Sequence, residues 1–289
     1  MNAPAPSDPA ATDPAVVPAR PAATVVIVRD TEVDDGGAGA GASGGGAASG
    51  VEVFVLRRTA NAAFAADMYV FPGGRVDDID GAATLEPYCD GLDDATASKM
   101  LGVDHGGLAY WVAAVRECFE EAGLLLARTR DGRPPTVSDE ERHAVHDGEL
   151  SMEELCRRHD LVLDLTAIRY VAHWVTPFGE GPRRFDTRFF LAAAPHGQEG
   201  VHDDSETVHS MWVSPHTAIT QAESGSMMMM PPTIANLQLV ADCATSEAAL
   251  AVADAVGAPP RIQPKIRRSE SGQPAGVSLP GDPDYDYLV

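Results

Sequence analysis

The chain has 289 residues, of which 44% are apolar, which is enough for one large domain or two modest ones with a real core. Its 21 basic and 43 acidic residues give a formal net charge of −22, which argues against nucleic acid or an anionic membrane as a partner. Four scattered cysteines without a CxxC pair predict neither a thiolate zinc site nor a disulfide framework, so we expect a cytoplasmic protein. We expect no membrane anchor either, because the sequence has no run of about 18 apolar residues.

The N-terminal part predicts a loose start followed by a hairpin. Residues 1–22 are rich in Pro, Ala and Asp and are predicted to be disordered. Two runs of β-branched residues, 24–29 and 51–58, predict strands, and the Gly- and Ala-rich segment 34–50 between them predicts a flexible loop. The run YVFPGGRV at 69–76 predicts a short strand that enters a turn which glycine accommodates most easily.

The segment GLAYWVAAVRECFEEAGL at 107–124 predicts an amphipathic helix. Its apolar positions recur at steps of three and four: Leu108, Val112, Val115, Phe119 and Ala122. Glu117 points away from this stripe and Glu120 and Glu121 flank it, so the three carboxylates share one outward face. Like charges placed in this way repel one another, which a bound cation would relieve; solvation by water alone is the other interpretation.

The rest of the chain predicts one mixed domain. We expect short helices at 138–148 and 151–160, strands at 165–177, 183–194 and 206–215, and a helical segment at 231–256. Strands interleaved with amphipathic helices predict an α/β fold in which a mixed sheet is covered on both faces. We expect a single domain over residues 23–260 and a loose C-terminal tail over 261–289.

Two segments, FPGGRVDDID at 71–80 and RECFEEAGL at 116–124, resemble the two ends of the Nudix box, Gx5Ex7REUxEExGU with U aliphatic. Gly74 matches the first Gly and Asp80 the first Glu position, while the residues from Arg116 to Leu124 match the remainder. There are three departures: Asp80 replaces Glu, Cys118 occupies an aliphatic position, and 35 residues stand where the common pattern has seven.

One branch of the Nudix superfamily, typified by a peroxisomal coenzyme A diphosphatase of animals, is similar in carrying such an insertion after an FPGG turn. The chain also resembles that branch in WVTP at 174–177, RRFDTRFF at 183–190 and Pro-Pro-Thr at 231–233. We treat residues 81–106 as the insertion, with a lid and a dimer contact as equally open roles. The resemblance implies a Nudix-type α/β/α sandwich.

The resemblance also implies a site for Mg²⁺ or Mn²⁺. Its ligands would be Glu117, Glu120, Glu121 and the carbonyl oxygen of Gly73. Arg116 would orient the glutamates, and Glu117 would be a ligand or the general base. In some family members a downstream carboxylate is the base, which makes Glu206 the alternative.

The activity implied is metal-dependent hydrolysis of a small-molecule nucleotide, a diphosphate attached to a nucleoside. Coenzyme A or acyl-CoA is favoured by the branch, with 3′,5′-ADP and 4′-phosphopantetheine or its acyl form as products. ADP-ribose or a dinucleotide is one alternative, and a nucleotide-binding sensor without catalysis is another. A further coenzyme A signature of the family is missing, because Ala63 and Asp67 replace its Arg and Gly. The oligomeric state stays open.

Several side chains have two interpretations at this point. Arg57 and Arg58 could contact a 3′-phosphate or be solvated, and Arg184 and Arg188 could bind phosphate or form a structural ion-pair ladder, which we favour. The methionines at 227–230 could line an adaptable slot, but core filling is favoured. We predict that the two histidines of the 138–148 helix, His143 and His146, are surface residues.

Overall fold

The computed structural model describes residues 17–31, 50–62, 64–179, 183–203 and 205–288. The strands, in chain order, are β1 Ala19–Asp30, β2 Val51–Arg58, β3 Tyr69–Val70, β4 Gly73–Arg75, β5 Cys89–Asp90, β6 Ala127–Thr129, β7 Leu161–Asp164, β8 Arg169–Val175, β9 Arg184–Ala193, β10 Thr207–Val213, β11 Arg261–Ile262, β12 Lys265–Arg268 and β13 Pro274–Ser278. The helices are α1 Asp94–Leu101, α2 Leu108–Ala122, α3 Asp139–His146, α4 Met152–His159, α5 Pro215–Glu223, α6 Pro231–Val240 and α7 Ser246–Val256.

The main sheet is mixed and is centred on β1. Its strand order is β10-β2-β1-β9-β8-β11, with β3 added beside β2 and β4 beside β1. β1 runs parallel to β9 and antiparallel to β2 and β4. Two smaller sheets, β5-β7-β6 and β12-β13, accompany it in the described part of the chain.

Both faces of the main sheet are buried, as the alternation of side chains along β1 shows. Val25 and Ile27 belong to one apolar cluster together with Trp111 of α2. Val26 and Val28, which point to the opposite face, belong to a second cluster that includes residues of α5, α6 and α7. A sheet buried on both faces by helices is the predicted α/β/α sandwich, and the prediction is confirmed.

The predicted helix at 107–124 is α2, and the chain holds it firmly at its C-terminal end. Gly123 takes the left-handed conformation with φ of 68°, which suits glycine, and its amide donates to the Phe119 carbonyl at 3.0 Å. The buried Arg142 of α3 donates from Nε to the Glu120 carbonyl at 3.0 Å. In the first turn of the helix, the fully buried Trp111 donates from Nε1 to the Ile168 carbonyl at 3.2 Å.

The boundaries of the N-terminal region differ from prediction. Residues 1–16 and 32–49, which hold most of the predicted disorder and of the flexible loop, lie outside the described residues. β1 begins at Ala19, so the expectation of disorder is wrong for residues 19–22. These residues are ordered by pairing on both sides, since Ala22 lies opposite Arg75 of β4 and Thr187 of β9.

The expectation of a loose tail over 261–289 is also wrong for its described part. β11 pairs with β8, and β12 and β13 form an antiparallel hairpin.

The helical segment predicted at 231–256 is two helices, because Thr245 caps a new helix with its side chain. Inside the 81–106 insertion, Leu85, Ala97 and Leu101 are buried in the same cluster as α2. Within the described residues, no helix combines the length and apolar character that crossing a membrane requires.

Candidate active site

The glycine turn lies directly against the acidic face of α2. The Gly73 amide donates to Glu121 Oε2 at 2.9 Å. A Cβ at Gly73 would lie 2.5 Å from the Ala23 carbonyl oxygen, and a Cβ at Gly74 would lie 2.6 Å from the Glu117 carboxyl. Both approaches are closer than a side chain tolerates, so the absence of a side chain lets β4 lie against β1 at Gly73 and against α2 at Gly74.

Arg116 connects most of the acidic residues of the site. Its Nε lies 2.8 Å from Asp80 Oδ1 and its Nη2 lies 2.9 Å from Asp80 Oδ2, so the ion pair is bidentate. Its Nη1 donates to Glu117 Oε1 at 2.9 Å and to Glu120 Oε2 at 3.1 Å. Nη2 also donates to the Arg75 carbonyl at 3.0 Å, so Arg116 ties the helix to the strand that follows the glycine turn.

Burial makes the carboxylates of α2 hard to ionise. It raises the pKa of Glu117 to about 8; the charge of Arg116 opposes this shift and that of Glu120 adds to it. Burial also raises the pKa of Glu120, and it raises that of Glu121, beside Glu117, well above the ordinary value. Asp80 and the three glutamates outnumber the two guanidinium groups beside them, those of Arg116 and Arg58, so this acidic group is short of positive charge.

The donor chemistry of the site fits a divalent cation. Carboxylate and carbonyl oxygens are the ligands that Mg²⁺ and Mn²⁺ prefer, and a cation would supply the positive charge that the three glutamates lack. In the conformation described, however, no group of three or more His, Cys, Asp or Glu side chains among the described residues is arranged to hold a metal. Arg116 draws Glu117 and Glu120 to itself while Gly73 holds Glu121, so carboxylate rotations would have to accompany binding.

Glu206, the alternative base, lies near the same site. Arg58, at the end of β2, lies between Glu206 and the acidic face of α2. Its Nη2 is 3.2 Å from Glu206 Oε2, and its Nη1 is 3.7 Å from Glu121 Oε1. The buried Nε of Arg58 has no hydrogen-bond partner among the described residues. The loop before β10 is held by Asp203, which accepts from the Thr207 amide at 2.9 Å.

A cavity of about 790 Å³ opens from the acidic cluster and has the size of a ligand site. Its floor follows a row of directly paired residues across the main sheet: Arg75, Ala22, Thr187 and Trp174. Its apolar wall includes Phe64, Phe71, Phe185, Phe189, Met230 and Pro231. The cavity therefore combines charged groups, suited to phosphate chemistry, with an apolar lining.

The structure decides between the two interpretations given to each pair of arginines. Arg58 lines the cavity, whereas Arg57 is exposed and pairs with Asp67 at 3.1 Å. Arg184 and Arg188 are buried outside the cavity lining, and Arg188 contacts Asp186 and His173, which supports the structural interpretation.

Two residues on α3 were missed or misjudged. His146 lines the cavity, so the prediction that it is an ordinary surface residue is wrong, although His143 is exposed as expected. Arg142 was not predicted as part of the site, yet it fixes the Glu120 backbone. No local pattern marked either residue, because their positions depend on how α3 packs against α2. Met227 lies in the core and Met230 lines the cavity, so the Met run serves both predicted roles.

The sandwich, with a glycine turn packed on an Arg-Glu-x-x-Glu-Glu helix face, defines a Nudix hydrolase domain. The family model described as the NUDT19 Nudix domain matches residues 93–240, more than half of the chain. The chain belongs to this family of Nudix hydrolases.

Three similar proteins illustrate the relationship. The chicken acyl-coenzyme A diphosphatase NUDT19 is 31% identical, with 63% of this chain and 58% of that protein covered. The human protein of the same name is 28% identical, with 68% and 62% covered. The chain thus spans less than two thirds of the length of these relatives. The crystal structure of a Nudix hydrolase from Alicyclobacillus acidocaldarius is 28% identical and superimposes with a TM-score of 0.64 over 81% of this chain and 96% of that chain.

Proposed function

We propose that the protein is a Mg²⁺- or Mn²⁺-dependent diphosphatase that cleaves coenzyme A or acyl-CoA. The products would be 3′,5′-ADP and 4′-phosphopantetheine or its acyl form. The observation that carries the proposal is the cavity itself, in which the buried carboxylates of α2 meet an extended apolar wall. The names of the chicken and human relatives point to the same substrate class.

Each residue of the acidic cluster has a proposed role. Glu120 and Glu121 would hold the cation together with the Gly73 carbonyl, and Glu117 would be a further ligand or the general base. When bound, the cation supplies neutralisation of the diphosphate and polarisation of the P–O bond. Arg116 keeps the helix carboxylates in place, since it binds Glu117 and Glu120 from one nitrogen.

Glu117 is our choice for the general base. Arg116 holds its Oε1, so Oε2 would accept the proton of the attacking water. Glu206 is the second choice, because its side chain is 52% exposed and is already neutralised by Arg58. Arg58 itself lines the cavity and would contact a substrate phosphate.

A substrate panel tests the proposal. Purified protein with Mg²⁺ or Mn²⁺ is incubated separately with coenzyme A, acyl-CoA, ADP-ribose and NADH, and the products are identified by mass. We expect 3′,5′-ADP from the first two, loss of turnover with chelator, and loss of turnover in Glu120→Gln. The matched control is Glu247→Gln, an exposed glutamate of α7, which should retain wild-type rates.

The other outcomes identify the alternatives. Cleavage of ADP-ribose or NADH alone would leave the Nudix chemistry and reject coenzyme A as substrate. Binding of a nucleotide without product from any member of the panel would indicate a sensor. Near wild-type turnover in Glu120→Gln would reject the metal-site assignment.

A further inference from the structure

The C-terminal part of the chain contributes two residues to the cavity lining. Pro264, just after β11, and Val277 of β13 both line the cavity, and we call these two residues the C-terminal wall. Pro264 is buried, and Val277 lies opposite Ile266 of β12. The expectation of a loose tail had assigned this region no role in the site.

The strand register places this wall far from the carboxylates. Arg75 of β4 lies opposite Ala22, Ala22 opposite Thr187, Thr187 opposite Trp174, and Trp174 opposite Ile262 of β11. Four inter-strand spacings of about 4.8 Å make this row roughly 19 Å long. Arg75 accepts a hydrogen bond from Arg116, so the row starts at the acidic cluster and ends where the C-terminal wall begins.

The β12-β13 hairpin, which carries Val277 of the wall, is held by its own ion pairs. Arg267 Nε lies 2.6 Å from Asp284 Oδ2 and Arg267 Nη2 lies 3.1 Å from Asp282 Oδ2. The fully buried Ser278, next to Val277, donates to Asp284 Oδ1 at 2.7 Å. Leu279 packs against the cluster that α6 and α7 bury on the sheet. These contacts hold the hairpin together, and Leu279 anchors it to the main part of the protein.

We propose that the C-terminal wall determines how long an apolar tail, attached to the far side of the diphosphate, the enzyme accepts. This inference rests on the proposed function, because an acyl-CoA carries such a tail at the end of its pantetheine arm. Three features support it: the apolar side chains of the wall, the row of paired residues, roughly 19 Å long, that runs from the acidic cluster to Ile262 just before the wall, and the contacts that hold the hairpin. The matched family model ends at residue 240, so the wall lies outside the part of the chain it covers.

The test changes the wall without touching the carboxylates. Val277→Trp shortens the cavity and Val277→Ala lengthens it. Val252→Trp is the control, since Val252 of α7 is 37% exposed and lies outside the lining. For each protein, kcat/KM is measured on free coenzyme A and on its acetyl, octanoyl and palmitoyl thioesters.

We expect Val277→Trp to lower the ratio of kcat/KM for palmitoyl-CoA over coenzyme A by about tenfold, because a filled apolar pocket excludes added methylenes. Val277→Ala should leave the ratio unchanged or raise it, and Val252→Trp should leave it unchanged. An equal effect of Val277→Trp on all four substrates, or none on any, would overturn the inference.

A binding experiment tests the C-terminal wall if the proposed function is wrong. Should the wild-type protein cleave none of these substrates, the coenzyme A assignment falls, and the wall is tested by binding alone. Octanoyl pantetheine, which carries the tail without the nucleotide, is titrated while Trp fluorescence is followed, since Trp174 lines the cavity. Saturable binding that Val277→Trp weakens and Val252→Trp does not would support the wall, and its absence would reject it.

Discussion

Arg116 makes a bidentate ion pair with Asp80, at 2.8 and 2.9 Å, although the two residues are 36 positions apart in the chain. Asp80 is one methylene shorter than the glutamate of the Nudix box. It reaches the arginine because it lies in a short 3₁₀ helix, Asp78–Gly81, that packs on α2. The departure from the motif therefore preserves the ion pair, and the insertion begins only after this contact is made.

Replacing Asp80 with Asn should destabilise the protein. Asp80 is 2% exposed, so the substitution removes a buried negative charge that Arg116 needs. Glu117 and Glu120 continue to compensate the guanidinium, and we therefore expect a loss of about 2 kcal/mol in the free energy of unfolding rather than the larger value of an isolated pair. Urea denaturation at neutral pH measures it.

The control for this change is Asp77→Asn. Asp77 lies 3.8 Å from the same guanidinium with 42% of its side chain exposed. Screening by water should keep its effect below about 0.5 kcal/mol. Equal losses for the two variants would show that the Asp80 contact is no stronger than a surface pair.

The parts of the fold that were predicted from the sequence are those with local signals. The apolar stripe of α2 was predicted correctly, but the expectation that the three glutamates lie on an outward face is wrong. Glu120 and Glu121 are buried, and the Glu117 side chain is 12% exposed, because β4 and the 3₁₀ helix pack on that side of α2. The close approach at Gly74 was predicted only as a turn, because the Glu117 carboxyl that fills the space is remote in the chain.

The C-terminal wall had no local signal. Its strands are short, and Arg267 is held by acidic residues instead of by an apolar stripe. The pairing of Arg261 with His173 joins distant segments, so composition alone suggested a loose end. The position of His146 in the cavity is likewise a consequence of helix packing.

Arg58 and Arg57 are adjacent in sequence and should differ in function. Arg58 lines the cavity between Glu121 and Glu206, whereas Arg57 makes an exposed pair with Asp67. If Arg58 contacts substrate phosphate as proposed, Arg58→Ala should lower kcat/KM by roughly tenfold to a hundredfold, since a charge-assisted donor to the diphosphate is lost. Arg57→Ala should remain close to wild type.

Steady-state kinetics on the substrate identified by the panel provides the measurement for the two arginines. Thermal unfolding of both variants separates a binding defect from a folding defect. Comparable kinetic losses in Arg57→Ala and Arg58→Ala would contradict the assignment of Arg58 to the site.

Asp203 should make the protein sensitive to acid. Partial burial raises its pKa, but hydrogen bonds from Ser205, Thr207 and the Glu206 amide outweigh this and bring the pKa to about 2. Because the folded pKa lies below the unfolded value, 3.8, the stabilisation is present above about pH 4 and is lost as the pH falls toward 2.

Asp203→Asn removes this contribution at all pH values. We expect it to lower the free energy of unfolding at neutral pH by about 1 kcal/mol, a figure reduced for solvent screening. Its stability should also fall less steeply than that of the wild type between pH 4 and pH 2. Parallel curves over that interval, recorded by urea denaturation, would contradict the role of Asp203.

Gly74→Ala should reduce the response of the protein to Mn²⁺ while the protein still folds. The added Cβ would lie 2.6 Å from the carboxyl of Glu117, and this flexible side chain must move away while the backbone stays in place. We expect a modest loss of stability, about 1–3 kcal/mol, and a smaller rise in Tm on addition of Mn²⁺ than in the wild type, because Glu117 no longer holds its position. Gly81→Ala is the matched control, since its Cβ would meet Ala109 at an ordinary 3.6 Å, and it should keep the wild-type response. Full Mn²⁺ stabilisation in Gly74→Ala would mean that Glu117 is not a ligand, and would leave Glu120 and Glu121 as the remaining carboxylate ligands.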